Sequence, residues 1–129
     1  MTTSVTMVCF AASGTPYCLP LESILSVRSA DDLVSLPDPA ADVAGLIPGE
    51  PALTVISPLG ADGGHIIVIE AAGKTFGLLV QEVTGLQRVD AADIRPAPQG
   101  QARPLVSGTL GADGQLVFVA DPIALGGRL

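Results

Sequence analysis

Short apolar runs, separated by glycine and proline, recur along the whole chain. The runs are built mainly from Val, Ile, Leu and Ala and follow one another at roughly 8–12-residue spacing, which is typical of an all-β barrel or sandwich. They predict strands near residues 5–11, 17–21, 44–47, 52–56, 65–71, 75–83, 105–110 and 115–120, with a short strand at 33–36 and a weaker one at 85–89.

Helix is expected to be minimal. Residues 22–25 are long enough for one turn only. Asp121 and Pro122 suit the N-cap and first position of a short helix that ends at Gly126. We expect helix in under about a fifth of the residues, below the usual share.

Residues 66–69 are apolar at every position. Because successive side chains of a strand point to opposite faces, such a run predicts a strand buried on both faces. Residues 71–74 then form a turn into the next apolar run.

The sequence Leu-Gly-Ala-Asp-Gly occurs at 59–63 and again at 110–114, each time before an apolar strand. Two interpretations are open. The repeat could mark two subdomains of like construction, or it could reflect only the preference of Asp-Gly for hairpin turns.

The amino-acid composition limits the classes of partner that are expected. The 129 residues are 48% apolar and 15% charged, with a net charge of −7 and no run of Lys or Arg. Nucleic acid and anionic membrane surfaces are therefore poor partners. The apolar surplus predicts that some apolar surface faces another protein.

The two cysteines, Cys9 and Cys18, are too few for a disulfide framework. We expect two buried, reduced thiols in a reducing cytoplasm. They could become neighbours if residues 5–11 and 17–21 form a hairpin.

No catalytic, metal or cofactor site is predicted. Asp62, Asp113 and Asp121 stand apart from one another, whereas a calcium loop needs several carboxylates within about a dozen residues. His65 is the only histidine and fits the start of a strand better than a ligand or base. We expect a protein that is not an enzyme.

Four glycines, Gly45, Gly49, Gly77 and Gly85, lie in or beside predicted strands, where glycine is destabilising. Either they mark bulges and barrel corners, or they are places where another backbone approaches closely.

Several segments occur in a recognisable order. They are Tyr17-Cys18-Leu19-Pro20-Leu21-Glu22-Ser23-Ile24, Leu36-Pro37, Val43-Ala44-Gly45-Leu46-Ile47, Phe76-Gly77-Leu78-Leu79-Val80, Ile94-Arg95-Pro96-Ala97-Pro98 and Ser107-Gly108, followed by the closing strand and turn at 115–125. In this order the chain resembles the CheW-like domain, the coupling module of bacterial chemosensory arrays.

The resemblance implies one domain over residues 1–129, made of two interleaved, SH3-like, five-stranded β-barrel subdomains packed together. It also implies a cytoplasmic adaptor, not inserted in the membrane, between a chemoreceptor's cytoplasmic tip and a histidine kinase's regulatory domain. The receptor would bind at a seam between the barrels, carried over by position to Ile24, Gly45, Gly49, Gly77 and Leu86. The kinase would bind at an edge of one barrel, carried over to Val27, Arg28, Leu33 and Val34.

Three departures from the family pattern lie near this seam. The family's Asn-hydrophobic-Arg-Gly element is shortened to Pro48-Gly49, and two of the family's aspartates are matched by Ser57 and Gln81. One alternative is therefore a CheW-like module that binds a kinase in a non-chemotactic pathway without contacting a receptor. A second alternative, from another class, is a small β-barrel enzyme or ligand carrier.

Overall fold

The computed structural model describes residues 3–36, 42–60, 63–96, 105–112 and 114–129. The strands within these residues are β1 Ser4–Ala12, β2 Thr15–Pro20, β3 Ile24–Ser29, β4 Val43–Ile47, β5 Leu53–Ile56, β6 His65–Ala71, β7 Lys74–Val80, β8 Glu82–Asp90, β9 Arg95–Pro96, β10 Val106–Ala112 and β11 Gln115–Ala120. One short helix, α1 Pro122–Gly126, and the 3₁₀ turns Leu21–Ser23, Ala30–Asp32 and Ala91–Asp93 complete the described elements.

The strands form two sheets, which confirms the mostly β fold with minimal helix. A six-stranded sheet has the order β8-β1-β2-β11-β10-β9, and a five-stranded sheet has the order β3-β6-β7-β5-β4. Neighbouring strands are antiparallel except for the parallel pairs β2–β11 and β5–β7. The expected five strands per barrel become six in the first sheet, because the two-residue β9 pairs with β10.

The two sheets share one strand arrangement in permuted chain order. The order β8-β1-β2-β11-β10 corresponds to β3-β6-β7-β5-β4, with the parallel pair third and fourth in each. Bulges fall at corresponding places, since β8/β1 and β3/β6 each have one, as do β10/β11 and β4/β5. The first subdomain takes its strands from both ends of the chain, and the second is inserted between them.

The repeated Leu-Gly-Ala-Asp-Gly sequence does not mark this correspondence. Its second copy spans the hairpin between β10 and β11. Its first copy follows β5 and leads to β6, which is not paired with β5. Asp62 and Asp113 themselves lie outside the described residues. The repeat is therefore not a trace of the duplicated strand arrangement.

Three hydrophobic cores hold the fold together. One lies within the six-stranded sheet around Met7, Cys18 and Val119, and one lies within the five-stranded sheet around Ile66 and Leu79. The largest lies between the sheets and contains side chains from both, with Leu125 of α1. Its fully buried members include Phe10, Leu19, Ile67, Ile69, Phe76 and Leu78.

The prediction that residues 66–69 are buried on both faces is confirmed. Ile66 packs in the core of the five-stranded sheet, whereas Ile67 and Ile69 pack in the core between the sheets. The three isoleucines have no exposed surface, and Val68 is 7% exposed. The predicted turn at 71–74 is also present, since β6 and β7 pair up to Ala71 and Lys74.

The short C-terminal helix was also predicted correctly. The Asp121 side chain accepts hydrogen bonds from the N–H groups of Ile123 and Ala124, and Pro122 occupies the first turn. Leu125 then inserts into the core between the sheets. The cap thus fixes the direction in which α1 presents its one large buried side chain.

Three predictions about elements were wrong. The turn expected at 22–25 ends at Ser23, and the chain continues as β3, whose residues after Ile24 are all exposed. The strand expected at 75–83 is interrupted at Gln81, where the chain leaves one sheet for the other. Residues 33–36 form no strand and contribute one bridge, between Val34 and Leu46.

Candidate functional site

The outer edge of the five-stranded sheet is β3, which presents apolar side chains to solvent. Leu25 is 57% exposed and Val27 is 45% exposed. The next residue, Arg28, is also exposed and makes no ion pair with the described residues. This edge therefore combines two aliphatic side chains with one cation.

The segment after β3 leads to β4, the other edge strand of the same sheet. The Ser29 hydroxyl accepts a hydrogen bond from the Asp31 N–H at 3.2 Å, which caps the 3₁₀ turn Ala30–Asp32. Leu33 packs against the core of the five-stranded sheet. Val34 exchanges two backbone hydrogen bonds with Leu46, at 2.8 and 2.9 Å, while its side chain stays 48% exposed.

The residues expected at the kinase edge lie in two places. Val27 and Arg28 are in β3, whereas Leu33 and Val34 are in the segment that pairs with β4, the opposite edge strand of the sheet. Val27, Arg28 and Val34 are exposed, and Leu33 is half-buried. We define Val27 and Arg28 as the β3 surface.

The outer edge of the six-stranded sheet is β8, where Leu86 is 67% exposed. Leu86 pairs with Val8 of β1, two residues after Thr84, the extra residue of the bulge. Gly85, at φ +151°, has no atom within 4 Å of the place where a Cβ would stand. The surface around Leu86 is therefore open.

Val27 and Leu86 occupy equivalent positions in the two sheets. Each lies two residues after the extra residue of the bulge in its edge strand, and each pairs with a buried aliphatic residue, Ile67 or Val8. Each subdomain thus carries one exposed aliphatic side chain at the same place. Sequence comparison within the chain does not reveal this, because the equivalence depends on strand register.

Two glycines expected at the receptor seam are buried under the chain itself. At Gly45, a Cβ would collide with the backbone carbonyl of Val34. At Gly77, a Cβ would stand 2.7 Å from Cγ2 of Ile66. Gly45 therefore marks both a bulge and a close backbone approach, but the approaching backbone is the protein's own and leaves no room for a partner.

The remaining seam residues differ in exposure. Gly49 is exposed, and a Cβ there would make only an ordinary contact, 3.6 Å from the carbonyl oxygen of Pro51. Ile24 is half-buried against the core between the sheets. The structure thus brings Gly49 and Leu86, but not Gly45 and Gly77, to the surface.

Gln81 joins the two sheets. Its backbone N–H donates to the Ala11 carbonyl at 2.9 Å, and its side-chain Oε1 accepts from the Gly14 N–H at 2.7 Å. Its carbonyl accepts a hydrogen bond from Nδ1 of His65 at 3.1 Å. His65 begins β6, as predicted. The neutral Gln81 amide therefore has a structural role at the crossing between subdomains.

Asp42 contacts both Ser57 and Arg128, which lies near the C-terminus. The Ser57 N–H donates to the Asp42 carbonyl at 2.8 Å, and the Arg128 guanidinium lies 3.3 Å from the Asp42 carboxylate. Both side chains of this ion pair are about one-third exposed, so it adds little stability.

A shallow, uncharged groove crosses the strands β8, β1, β2 and β11. Its lining includes Cys9, Tyr17, Leu86, Gln87 and Gln115. The groove therefore reaches from the exposed Leu86 to the half-buried Cys9 thiol.

The described part of the chain has neither the geometry of a metal site nor a membrane-spanning helix. No group of three or more His, Cys, Asp or Glu side chains is arranged there to hold a metal ion. Among the described helices, none is long and apolar enough to cross a membrane.

The model of the CheW-like domain family matches residues 48–128, well over half of the chain. The chain belongs to the CheW-like domain family. The crystal structure of the scaffolding protein TtCheW from Thermoanaerobacter tengcongensis has the same fold, with a TM-score of 0.81 and 21% sequence identity over 92% of this chain and 90% of that one. No curated protein matches the sequence significantly.

Membership gives the two sheets a common interpretation. They are the two SH3-like subdomains of a CheW fold, and the protein is a non-enzymatic scaffolding domain with protein partners in chemotaxis signalling. The enzyme alternative is thereby set aside.

Proposed function

We propose that this CheW-like protein is a cytoplasmic adaptor that couples chemoreceptors to a histidine kinase in a chemotaxis-type two-component pathway. The observation that carries the proposal is the pair of exposed aliphatic residues, Val27 and Leu86, at equivalent places on the two subdomains. An adaptor needs two separate docking surfaces, and these edges supply them within one domain spanning residues 1–129.

The β3 surface is our proposed kinase site. It offers Val27 as an apolar contact and Arg28 as a cation, both exposed on β3, and we include Leu33 and the exposed Val34, beside β4, as further contacts of the same partner. Interface centres are enriched in apolar groups and arginine, so this composition suits the regulatory domain of a histidine kinase.

Leu86, with Gly49 and the half-buried Ile24, is our proposed receptor site. Gly45 and Gly77, which are buried in the five-stranded sheet, are not part of this proposed contact surface. A protruding leucine beside an open glycine suits the side of a receptor helix, because Gly85 lets a helix backbone approach closely.

A second candidate function keeps the kinase and omits the receptor. It is favoured by the exposed Pro48-Gly49 connection, which provides no arginine where the family has one, and by the burial of Gly45 and Gly77. In that case only the β3 surface would bind a partner.

Matched single variants distinguish the two candidates. Val27→Asp should abolish kinase binding, and Leu86→Asp should abolish receptor binding while leaving the kinase bound. Ile123→Asp is the control, because Ile123 is 65% exposed and lies in α1, outside both surfaces. An exposed hot-spot residue contributes 2 kcal/mol or more, roughly thirtyfold in affinity.

The assay is a pull-down from the native cell with tagged protein, followed by titration with purified partners and a thermal melt of each variant. Loss of kinase in Val27→Asp alone, and of receptor in Leu86→Asp alone, supports coupling. If the wild-type protein retains the kinase but no receptor, the result supports the second candidate function, in which only the kinase is bound. If both variants melt as the wild type and bind every partner unchanged, both assignments fail.

A further inference from the structure

Two cysteines lie directly opposite each other in the six-stranded sheet. Cys9 of β1 pairs in register with Cys18 of β2, and both are free thiols. Directly opposed residues of antiparallel strands have Cα atoms about 4.5 or 5.5 Å apart, and disulfides accept Cα separations of roughly 4.4–6.8 Å. The backbone therefore already holds the two side chains at a disulfide-compatible separation.

The fold does not require cysteine at these positions. In the corresponding strand pair of the other sheet, β6 and β7, the equivalent residues are Val68 and Gly77, which also pair in register. The five-stranded sheet thus has the same strand arrangement without cysteine at these two positions. The cysteine pair is a feature of the six-stranded sheet alone.

The two thiols differ in access. Cys18 has no exposed surface and packs in the core of its sheet. Cys9 is half-buried, lines the groove that also contains Leu86, and lies with its Sγ 3.8 Å from Oε1 of Gln87. A small reagent in the groove can therefore contact Cys9 but not Cys18.

We propose that Cys9 is a thiol-modification site for low-molecular-weight disulfides, and that Cys18 resolves the adduct into a Cys9–Cys18 disulfide. In the first step the Cys9 thiolate attacks one sulfur of the reagent RSSR. The Cys9–SR bond forms, the S–S bond of the reagent breaks, and the leaving RS⁻ takes up the proton that Cys9 lost.

In the second step the Cys18 thiolate attacks Sγ of Cys9. The intramolecular disulfide forms, the bond from Cys9 to the adduct breaks, and the second RS⁻ takes up the proton from Cys18. Two protein thiols are oxidised and one RSSR is reduced to two RSH, so atoms and electrons balance.

The surroundings make this reaction slow at neutral pH. Burial raises the pKa of Cys9 above its ordinary value, and burial followed by the charge of Cys9 raises the pKa of Cys18 to about 12. The titratable group opposite Cys9 is Cys18, Tyr17 lines the same groove, and the groove lining among the described residues includes no charged side chain. The pair is therefore reduced at rest and responds to sustained rather than brief oxidation, because only the thiolate attacks.

The test uses the reduced full-length chain with oxidised glutathione, quenched by alkylation and followed by intact mass. The wild type should pass through one glutathione adduct to a species lacking two hydrogens and carrying no adduct. Cys18→Ser should stop at the adduct, and folded Cys9→Ser should not react. The wild-type rate should rise about tenfold per pH unit between pH 7 and 8.5, as the thiolate fraction does.

The controls are Cys18→Ala, in case serine disturbs the core, and each variant unfolded in urea, where every remaining thiol should react. The proposal is overturned if folded Cys9→Ser reacts as fast as the wild type. It is also overturned if the folded wild type accumulates two adducts, or remains unmodified at pH 8.5 while the unfolded chain reacts.

Discussion

Replacing Ile67 by alanine tests the core between the two subdomains. Ile67 lies in β6, has no exposed surface, and packs among residues from both sheets. It pairs with Val27 on one side and Leu78 on the other, so backbone neighbours on both sides restrict how far the strand can relax into a cavity.

The magnitude follows from the groups removed. The substitution deletes three carbon atoms, which at about 0.8 kcal/mol each gives about 2.4 kcal/mol of lost transfer free energy. A residual cavity adds to this, so we expect a total of about 3–4 kcal/mol, within the range for buried Ile→Ala substitutions. For a domain of this size, this corresponds to a fall in Tm of roughly 10 °C.

Thermal melts monitored by circular dichroism, with urea unfolding for the free energy, provide the measurement. Leu86→Ala is the control, because a 67% exposed side chain should change the unfolding free energy by less than about 0.5 kcal/mol. If Ile67→Ala melts within 2–3 °C of the wild type, roughly the shift expected for 1 kcal/mol or less, then β6 does not lie between two packed layers as described.

The remaining predictions concern glycine and cysteine. Gly45→Ala should lower the unfolding free energy by roughly 1–3 kcal/mol, because the added Cβ collides with the Val34 carbonyl. Gly49→Ala should leave the unfolding free energy nearly unchanged. Equal urea midpoints for the two variants would refute the close approach at Gly45. The pKa of Cys18 is raised from 9.0 to about 12 in the folded protein. Below pH 9 the thiol is neutral in both the folded and the unfolded chain, so its contribution to the unfolding free energy is complete. As the pH rises from 9 toward 12 that contribution is lost, because the unfolded chain deprotonates first. The unfolding free energy of the wild type should therefore fall more steeply above pH 9 than that of Cys18→Ala, and parallel curves would contradict the burial of this thiol.

Elements with strong local signals were predictable from the sequence. The Asp121-Pro122 cap specifies α1, and the unbroken apolar run at 66–69 specifies a strand covered on both faces. In each case the local preference and the tertiary environment agree, so the pattern alone is sufficient.

Elements that depend on distant pairing were not predictable. β3 pairs only with β6, and its residues after Ile24 are exposed, so its strand conformation depends on that pairing and not on burial of its own side chains. The change of sheet at Gln81 depends on hydrogen bonds to Ala11 and Gly14, about 70 residues earlier in the chain. Such contacts leave no local trace in an otherwise apolar stretch.

The candidate site was only partly predictable for a related reason. Glycine in a strand indicates that something comes close, but the sequence does not tell whether it is a partner or the protein's own backbone. At Gly45 it is the backbone of Val34. The equivalence of Val27 and Leu86 requires the register of both sheets and could be recognised only in the structure.

The most direct test of the account is whether one molecule of this protein holds kinase and receptor at the same time. A kinase regulatory domain is immobilised, and a soluble fragment of the receptor's cytoplasmic tip is passed over it with and without the protein. We predict that the receptor fragment is retained only when the protein is present, and that Val27→Asp and Leu86→Asp each abolish its retention while Ile123→Asp does not. Capture of the protein by the kinase with no retention of the receptor fragment at any protein concentration would contradict the coupling function.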